Sequence, residues 1–187
     1  MQDRGAPTLV LLVGLPGVGK TTLANALAEP LGAEIVSRDQ IRDSIFPKIY
    51  LDYSREQNEV ATNTLYRVLA YLLAHCKPDC LIIDGKPFSR AHEIRDVLEL
   101  AGQHGAVVKV VHCDAPLDVI RARLGRRQDE AANSRAGRTP EKAERVHREF
   151  EPIAVDHIRV DMTHPIEQVA AEVIAYSQVS ASPGAHR

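Results

Sequence analysis

The stretch formed by residues 14–21, GLPGVGKT, constrains the fold of this chain more than any other feature. It has the form Gly, four residues, Gly-Lys-Thr, which is the pattern of a phosphate-binding loop, or P-loop. An apolar run over residues 9–13 precedes it, and an apolar-periodic run over residues 23–31 follows it. A strand, a glycine-rich loop and a helix are therefore predicted in that order, and this context separates the motif from a chance match.

The loop offers the groups that a bound phosphate requires. Its glycines permit a tight turn with positive φ, and successive N–H groups then form an anion nest at a helix N-terminus. Lys20 can reach β- and γ-phosphates, and the Thr21 hydroxyl can bind the Mg²⁺ that bridges them. The alternative is a glycine-rich turn with a surface lysine. The candidate nucleotide-binding residues are Gly14, Leu15, Pro16, Gly17, Val18, Gly19, Lys20, Thr21 and Thr22.

Composition limits the classes of protein that remain. A length of 187 residues predicts one domain with one core. Lys and Arg number 23 against 25 Asp and Glu, so bulk charge argues neither for nor against a polyanionic partner. Aromatic residues make up 4% and Trp is absent, which argues against a surface that stacks nucleic-acid bases.

The cysteines and the lengths of the apolar runs indicate the cellular compartment in which the protein is expected. Cys76, Cys80 and Cys113 are odd in number and lack metal-binding spacing, and the last two lie in or before apolar runs. This pattern is typical of buried thiols in a reducing compartment. Since no run is long enough for a signal peptide or a membrane span, we expect a soluble cytoplasmic protein without membrane contacts.

Five apolar segments alternate with helical patterns along the chain. Strands are predicted over residues 9–13, 34–37, 80–84, 107–111 and 157–162, with helices over 20–31, 39–45, 54–75, 91–103, 117–127, 140–150 and 165–176. The alternation predicts an α/β fold with a parallel sheet, in which ligands bind beyond the carboxyl ends of the strands. We expect one domain over residues 1–176 and a disordered tail over residues 177–187.

Asp39 and Arg42 follow the second predicted strand. A carboxylate just past the strand beside the P-loop could accept the proton of an attacking hydroxyl while a γ-phosphoryl group leaves in line. Arg42 lies three residues further on, on the same face of a short helix, where it could grip an anionic group of the acceptor. The alternative is an N-cap aspartate with a surface ion pair.

Asp84 ends the third predicted strand after four apolar residues, which is the Walker B form. A carboxylate at that point could hold Mg²⁺ through its water shell or orient the acceptor. The alternative is a turn aspartate before Gly85, because Asp-Gly is a common turn pair.

Arginines concentrate in the predicted helix over residues 117–127, at Arg121, Arg123, Arg126 and Arg127. Arg123 and Arg127 are four residues apart and face the same way. The polar, aperiodic stretch over residues 128–138 predicts a mobile segment, so residues 117–140 form a candidate lid whose arginines stabilise charge on the transferred group. The alternative is a solvated basic face.

Several motifs are missing. The chain has no Asn-Lys-x-Asp guanine motif, no Ser-Gly-Gly transporter signature and no pair of His residues with metalloprotease spacing. These absences argue against a GTPase switch, a transporter ATPase and a zinc protease.

At these residues the chain resembles the small P-loop kinases, the group of polynucleotide 5′-hydroxyl kinase, adenylylsulfate kinase, gluconate kinase, chloramphenicol phosphotransferase and zeta-toxin kinases. The resemblance runs from Leu9 to about Tyr176, and its most specific part beyond the P-loop is residues 38–42, RDQIR. It implies a three-layer P-loop fold like that of nucleoside-monophosphate kinases, with a five-stranded parallel sheet and a helical lid.

The resemblance also implies roles for individual residues. Asp39 is expected to be the general base, Arg42 to contact the acceptor, and Arg123 and Arg127 to be the lid arginines, with Lys20 on the phosphates. Thr21 and Asp84 are the candidate Mg²⁺ ligands. Substrate-binding residues are expected in the two flanking loops, over residues 38–53 and 86–90, and comprise Arg38, Asp39, Arg42, Asp84, Lys86 and Arg90.

The predicted function is transfer of the γ-phosphoryl group of ATP, with Mg²⁺, to a hydroxyl of a small metabolite, nucleoside or antibiotic. An oligonucleotide 5′-hydroxyl kinase is the alternative among enzymes. A nucleotide-binding regulatory module without an acceptor is the alternative of another class.

Overall fold

The structure is a computed structural model that describes residues 5–130 and 139–178, without the side chains of residues 127–130. The strands are β1 Thr8–Val13, β2 Glu34–Ser37, β3 Cys80–Asp84, β4 Val107–Asp114 and β5 His157–Asp161. The helices are α1 Lys20–Leu31, α2 Arg38–Ile45, α3 Arg55–Tyr71, α4 Ala91–Gln103, α5 Leu117–Glu130, α6 Pro140–Arg148 and α7 Ile166–Gln178. A 3₁₀ turn covers Lys48–Tyr50, and a π-helical turn over Leu72–Cys76 extends α3.

The five strands form one all-parallel sheet in the order β2-β3-β1-β4-β5. The predicted α/β class and the parallel sheet are confirmed. The expectation that β2 lies beside the P-loop strand is wrong, because β3 lies between β1 and β2. Asp39 is therefore two strand spacings from the P-loop, roughly 10 Å across the sheet, while Asp84 is the direct neighbour.

Helices cover both faces of the sheet, as a buried parallel sheet requires. Val10 and Leu12 of β1 pack in a cluster with α1, α5 and α7. Leu9, Leu11 and Val13 of the same strand pack on the other face with α3 and α4. Each residue of β1 after Thr8 is buried, which explains why the strand reads as an uninterrupted apolar run.

Ser54 caps the N-terminus of α3. Its hydroxyl accepts a hydrogen bond from the Gln57 N–H. The Gln57 side chain accepts from the N–H groups of Asp52 and Tyr53, so a reciprocal capping box does not form. Val60 on the same helix is 47% exposed.

Three elements extend beyond their predicted ends. β4 continues to Asp114, α5 to Glu130 and α7 to Gln178. The expected mobile segment thus begins with three helical residues, and residues 131–138 lie outside the described part of the chain. The expected tail begins with two helical residues, and residues 179–187 are likewise outside it. No helix among the described residues is long and apolar enough to cross a membrane.

Candidate active site

The P-loop joins β1 to α1, and its backbone conformation explains its glycines. Gly14, Gly17 and Gly19 have φ values of 144°, 83° and 118°. A Cβ at Gly14 would collide with the backbone carbonyl oxygen of Cys113 on β4. A Cβ at Gly17 would come within 2.7 Å of the Leu124 side chain on α5. The loop is thus held between β4 and α5, and its close packing leaves room only for glycine at these points.

Lys20 is the first residue of α1, and only 8% of it is exposed. Its Nζ donates hydrogen bonds to the carbonyl oxygens of Gly14 at 2.7 Å and Leu15 at 2.9 Å. These bonds hold the ammonium group over the loop, where a phosphate group would meet it.

Thr21 and Asp84 form the candidate metal site. The Thr21 hydroxyl donates a hydrogen bond of 2.8 Å to Asp84 Oδ2. Asp84 is 1% exposed, and its other oxygen, Oδ1, is buried without a hydrogen-bond partner. A buried, unsatisfied carboxylate oxygen is costly unless a further group completes it.

A hydroxyl and a carboxylate are oxygen ligands that suit Mg²⁺. Among the described residues no group of three or more His, Cys, Asp or Glu gathers to hold a metal. Mg²⁺ usually keeps several waters and takes one or two protein ligands together with phosphate oxygens.

Asp39 reaches the site because the end of β2 and the end of β3 are in register. Ser37 pairs with Asp84 across the sheet, and the Ser37 hydroxyl caps α2 by accepting from the Gln40 N–H at 3.5 Å. Gly85, with φ 88°, passes so close to α2 that a Cβ would lie 2.7 Å from the Asp39 nitrogen. The two carboxylates are thereby brought to the same end of the sheet.

Asp39 is 5% exposed and is held by two arginines. Its Oδ1 lies 3.0 Å from Arg38 and 3.1 Å from Arg42. These charge-assisted contacts fix the orientation of the carboxylate.

Arg42 itself is 3% exposed and largely engaged inside the protein. It donates to Asn58 Oδ1 at 2.9 Å and stacks over the Tyr53 ring, with 4.5 Å from its Cζ to the ring centroid. Arg42 thus contacts Asp39, and its expected contact with the acceptor stays a prediction.

One cavity of about 930 Å³ unites these groups. From the predicted set it is lined by Pro16, Gly17, Gly19, Lys20, Thr21, Thr22, Arg38, Asp39, Arg42, Asp84 and Lys86. Of the remaining loop residues, Leu15 and Val18 are buried in the core and anchor the loop. The predicted candidates are therefore mostly in one place, with P-loop residues at one end and α2 at the other.

Lys86 and Arg90 belong to the loop after β3, but only Lys86 lines the cavity. Lys86 forms an ion pair of 3.2 Å with Glu93. Arg90 pairs instead with Glu149 at 2.8 Å and Glu151 at 3.3 Å, and so links the start of α4 to the chain after α6.

Arg123 does not line the cavity either. Its guanidinium donates to the carbonyl oxygens of Val18 at 2.8 Å and Met162 at 2.7 Å. It thus connects α5 to the P-loop and to the end of β5, and its role as a lid arginine stays a prediction. The Arg127 side chain lies outside the described residues.

Two helices contribute cavity residues that the sequence analysis did not select. From α3 these are Arg55, Asn58, Glu59, Thr62 and Asn63, and from α6 and its end Lys142, Arg145 and Glu149. His92 and Glu93 of α4 and the loop residues Tyr53, Gly85 and Pro87 also line the cavity. A polar row at positions 55, 58, 59 and 62 has the spacing of one helix face, but solvent-exposed faces show the same pattern.

Lys142 is half-buried at the Asp39 end of the cavity. Burial lowers its pKa from the ordinary 10.5, and the nearby Arg38, Arg42 and Arg145 lower it further while Asp39 opposes them. The pKa of this amine is thus depressed mainly because it is removed from water, and secondly because it stands among cations.

Comparison with known proteins places the chain among P-loop folds. A family model described as AAA domain matches residues 9–153. No curated protein sequence matches the chain.

Solved structures with the same fold cover nearly the whole chain. A protein of Chloroflexus aurantiacus that is assigned as a kinase is 22% identical with a TM-score of 0.72, over 95% of this chain and 99% of its own. APS kinase of Mycobacterium tuberculosis, solved with AMPPNP and APS, is 22% identical with a TM-score of 0.66, over 92% and 98%. A gluconokinase of Sinorhizobium meliloti is 16% identical with a TM-score of 0.66, over 92% and 93%. At these identities the likeness establishes the three-layer P-loop fold.

Proposed function

The chain belongs to the AAA domain family, and from that premise we propose that it is a kinase that transfers the γ-phosphoryl group of ATP to a hydroxyl of a small molecule. The observation that carries the proposal is that one cavity contains the P-loop lysine, the Thr21–Asp84 pair and, across from them, the buried carboxylate of Asp39. A nucleotide-binding module needs the first two, whereas a buried carboxylate in the same cavity is a group that can accept the proton of an acceptor hydroxyl.

At the phosphate end, Lys20 and the N–H groups of the loop bind the negatively charged phosphates. Thr21 and Asp84 would hold Mg²⁺, which neutralises charge on the phosphate oxygens when bound. The unsatisfied Asp84 Oδ1 is the observation that supports a metal at this point.

At the other end, Asp39 accepts the proton of the acceptor hydroxyl. The hydroxyl oxygen forms a bond to the γ-phosphorus, the bond from that phosphorus to the β–γ bridging oxygen breaks, and ADP leaves with the electron pair. Arg38 and Arg42 keep the Asp39 carboxylate in place for this transfer. The two strand spacings between β1 and β2 give the acceptor hydroxyl and the transferred group room between Asp39 and the P-loop.

The residues that line the cavity favour a small acceptor and disfavour a nucleic-acid chain. Among the described residues, the aromatic side chains that line it are Tyr53 and His92, and Tyr53 already stacks on Arg42. A groove that tracks single strands would offer several free aromatic faces. The related folds of APS kinase and gluconokinase, whose names denote small acceptors, are consistent with this choice.

A screen for acceptor-dependent ADP release tests the proposal. Purified protein with Mg²⁺ and ATP is offered sugars, sugar acids, nucleosides, nucleotides, antibiotics and 5′-hydroxyl oligonucleotides, and the phosphorylated product is identified by mass. We expect release with a small hydroxyl compound, and none with Lys20→Ala.

Transfer to the oligonucleotide alone would favour the 5′-hydroxyl kinase. If ATP binds but no compound of the panel is phosphorylated, the kinase assignment fails and the regulatory module is favoured.

A further inference from the structure

The Asp39 end of the cavity carries an excess of positive charge. Lys142 and Arg145, three residues apart on α6, line it together with Arg38 and Arg42 of α2. Among the described residues, Asp39 is the carboxylate that acts on Lys142, and Asp43 pairs with Arg42 at 3.5 Å. These four cations and two carboxylates form a cluster that we name the basic end, and its net charge is +2.

Neighbouring carboxylates are engaged elsewhere. Glu144 of α6 pairs with Arg121 at 2.7 Å, and Glu149 pairs with Arg90 at 2.8 Å. Glu59 of α3 pairs with Arg55 at 2.8 Å on its own helix. Each of these pairs is neutral as a whole and therefore does not offset the charge of the basic end, although three of the six residues involved, Arg55, Glu59 and Glu149, line the cavity.

Holding several cations together in a partly buried site costs free energy unless an anion joins them. The lowered pKa of Lys142 reflects that cost, because burial and three nearby cations disfavour its charged form. A ligand with a negative charge at this point would remove the penalty and form charge-assisted hydrogen bonds.

We propose, on the basis of the kinase function above, that the acceptor bears an anionic group, a carboxylate, sulfate or phosphate, which binds Lys142 and Arg145 at the basic end beside Arg38. The acceptor is then a hydroxyl compound with a fixed negative charge, and its hydroxyl is directed at Asp39 while its anion is held by α6.

The γ-phosphoryl group is the other anion that α6 could contact. The charged groups that act on Lys142 are Arg38, Asp39, Arg42 and Arg145, which belong to α2 and α6. Lys142 therefore lies near the Asp39 carboxylate, where the acceptor hydroxyl is proposed to bind.

A binding experiment tests the subsite without turnover. The protein is saturated with Mg²⁺ and AMPPNP, so that the γ-position is filled, and sulfate is titrated by calorimetry. We expect one sulfate site, weakened about 10- to 100-fold by Lys142→Met or Arg145→Met, which is the weight of one charge-assisted hydrogen bond. Arg148→Met is the control, because Arg148 is exposed on the same helix and does not line the cavity.

No sulfate binding to the wild-type complex overturns the proposal, as does binding that the two cavity variants leave unchanged. Sulfate that binds weakly and is lost equally in Arg148→Met is an adventitious ion only, which also overturns it. A specific sulfate site in a protein that phosphorylates no hydroxyl would leave the subsite intact and defeat the proposed kinase function.

Matched acceptors then test the link to the reaction. D-gluconate is compared with D-sorbitol, and adenosine 5′-monophosphate with adenosine, by kcat/KM. We expect the anionic member of at least one pair to be preferred, and Lys142→Met to lower its kcat/KM about 10- to 100-fold while changing that of the neutral member by about twofold at most. Equal losses for both members would place Lys142 on the transferred phosphoryl group, and preference for the neutral members would overturn the anionic acceptor.

Discussion

Gly85 sets the distance between the two carboxylates of the site. It follows Asp84 directly, has φ 88°, and leaves no space for a side chain beside the Asp39 nitrogen and the Ser37 hydroxyl. A residue with a Cβ would be strained in this backbone conformation and would also push β3 away from the start of α2.

The variant Gly85→Ala should therefore lose both stability and turnover. We expect the free energy of unfolding to fall by about 1–3 kcal/mol, measured by urea titration, and kcat to fall because Asp39 is displaced. Gly102→Ala is the matched control, since a Cβ at Gly102 meets nothing within 4 Å. Wild-type stability and kcat in Gly85→Ala would show that this contact does not position Asp39.

At this scale the types and spacing of residues in the sequence indicated most of the candidate site. Residues 14–22, Asp39 and Asp84 could be selected because a P-loop and strand-end carboxylates are local patterns. Lys142 and Arg145 could not be selected from the sequence, because α6 reaches the cavity only through the packing of α5 and α6 against the rest of the protein. Arg123 has the spacing of a lid residue, but its hydrogen bonds to two backbone carbonyls depend on a tertiary contact with β5.

At the scale of elements, α5 supports the P-loop. Leu124 fills the space beside Gly17, and Arg123 joins the carbonyls of Val18 and Met162. The helix thereby holds the loop that is proposed to bind the phosphates.

We expect Arg123→Met to lower the free energy of unfolding by about 1–3 kcal/mol, because it leaves carbonyls without their charged donor. It should also weaken ATP binding, measured by calorimetry. Arg126→Met, exposed on the same helix, should leave both quantities unchanged. If the two variants behave alike, Arg123 does not support the loop.

The elements themselves were largely predictable, and the order of the strands was not. The bounds of β2, β3 and α4 agree with the predicted bounds to the residue. The reason is that burial on both faces of a strand and the apolar periodicity of a helix can be recognised in a short stretch of sequence. β3 lies between β1 and β2 in the sheet. This order depends on where the chain rejoins the sheet after α1, and no local sequence pattern indicates that position. The extension of β4 to Asp114 depends on pairing with β5.

At the scale of the whole molecule, two thiols report on opening of the core. Cys80 and Cys113 are buried, and burial raises the pKa of Cys80 to about 11 and that of Cys113 to about 12. Cys76 is exposed. Buried thiols of high pKa are inert toward alkylation until the fold opens.

Iodoacetamide at pH 8 should therefore modify Cys76 rapidly, and Cys80 and Cys113 only at the rate of unfolding. Mass spectrometry of the time course measures this, and Cys76→Ser should abolish the fast phase. Because the buried thiols ionise at lower pH in the unfolded chain, stability should also decline as pH rises from about 9 toward about 11. Three thiols reacting at similar rates in native protein would contradict the described core.

The proposed mechanism of phosphoryl transfer depends on Asp39 as the proton acceptor opposite the P-loop. The most direct measurement is the kcat of Asp39→Asn, with the best acceptor of the screen, alongside its affinity for Mg²⁺ and ATP. We predict that kcat falls about 10²–10⁴-fold, the weight of general base catalysis, while nucleotide affinity changes by about twofold at most. A kcat near that of the wild type would contradict the role of Asp39 and with it the mechanism proposed for this cavity.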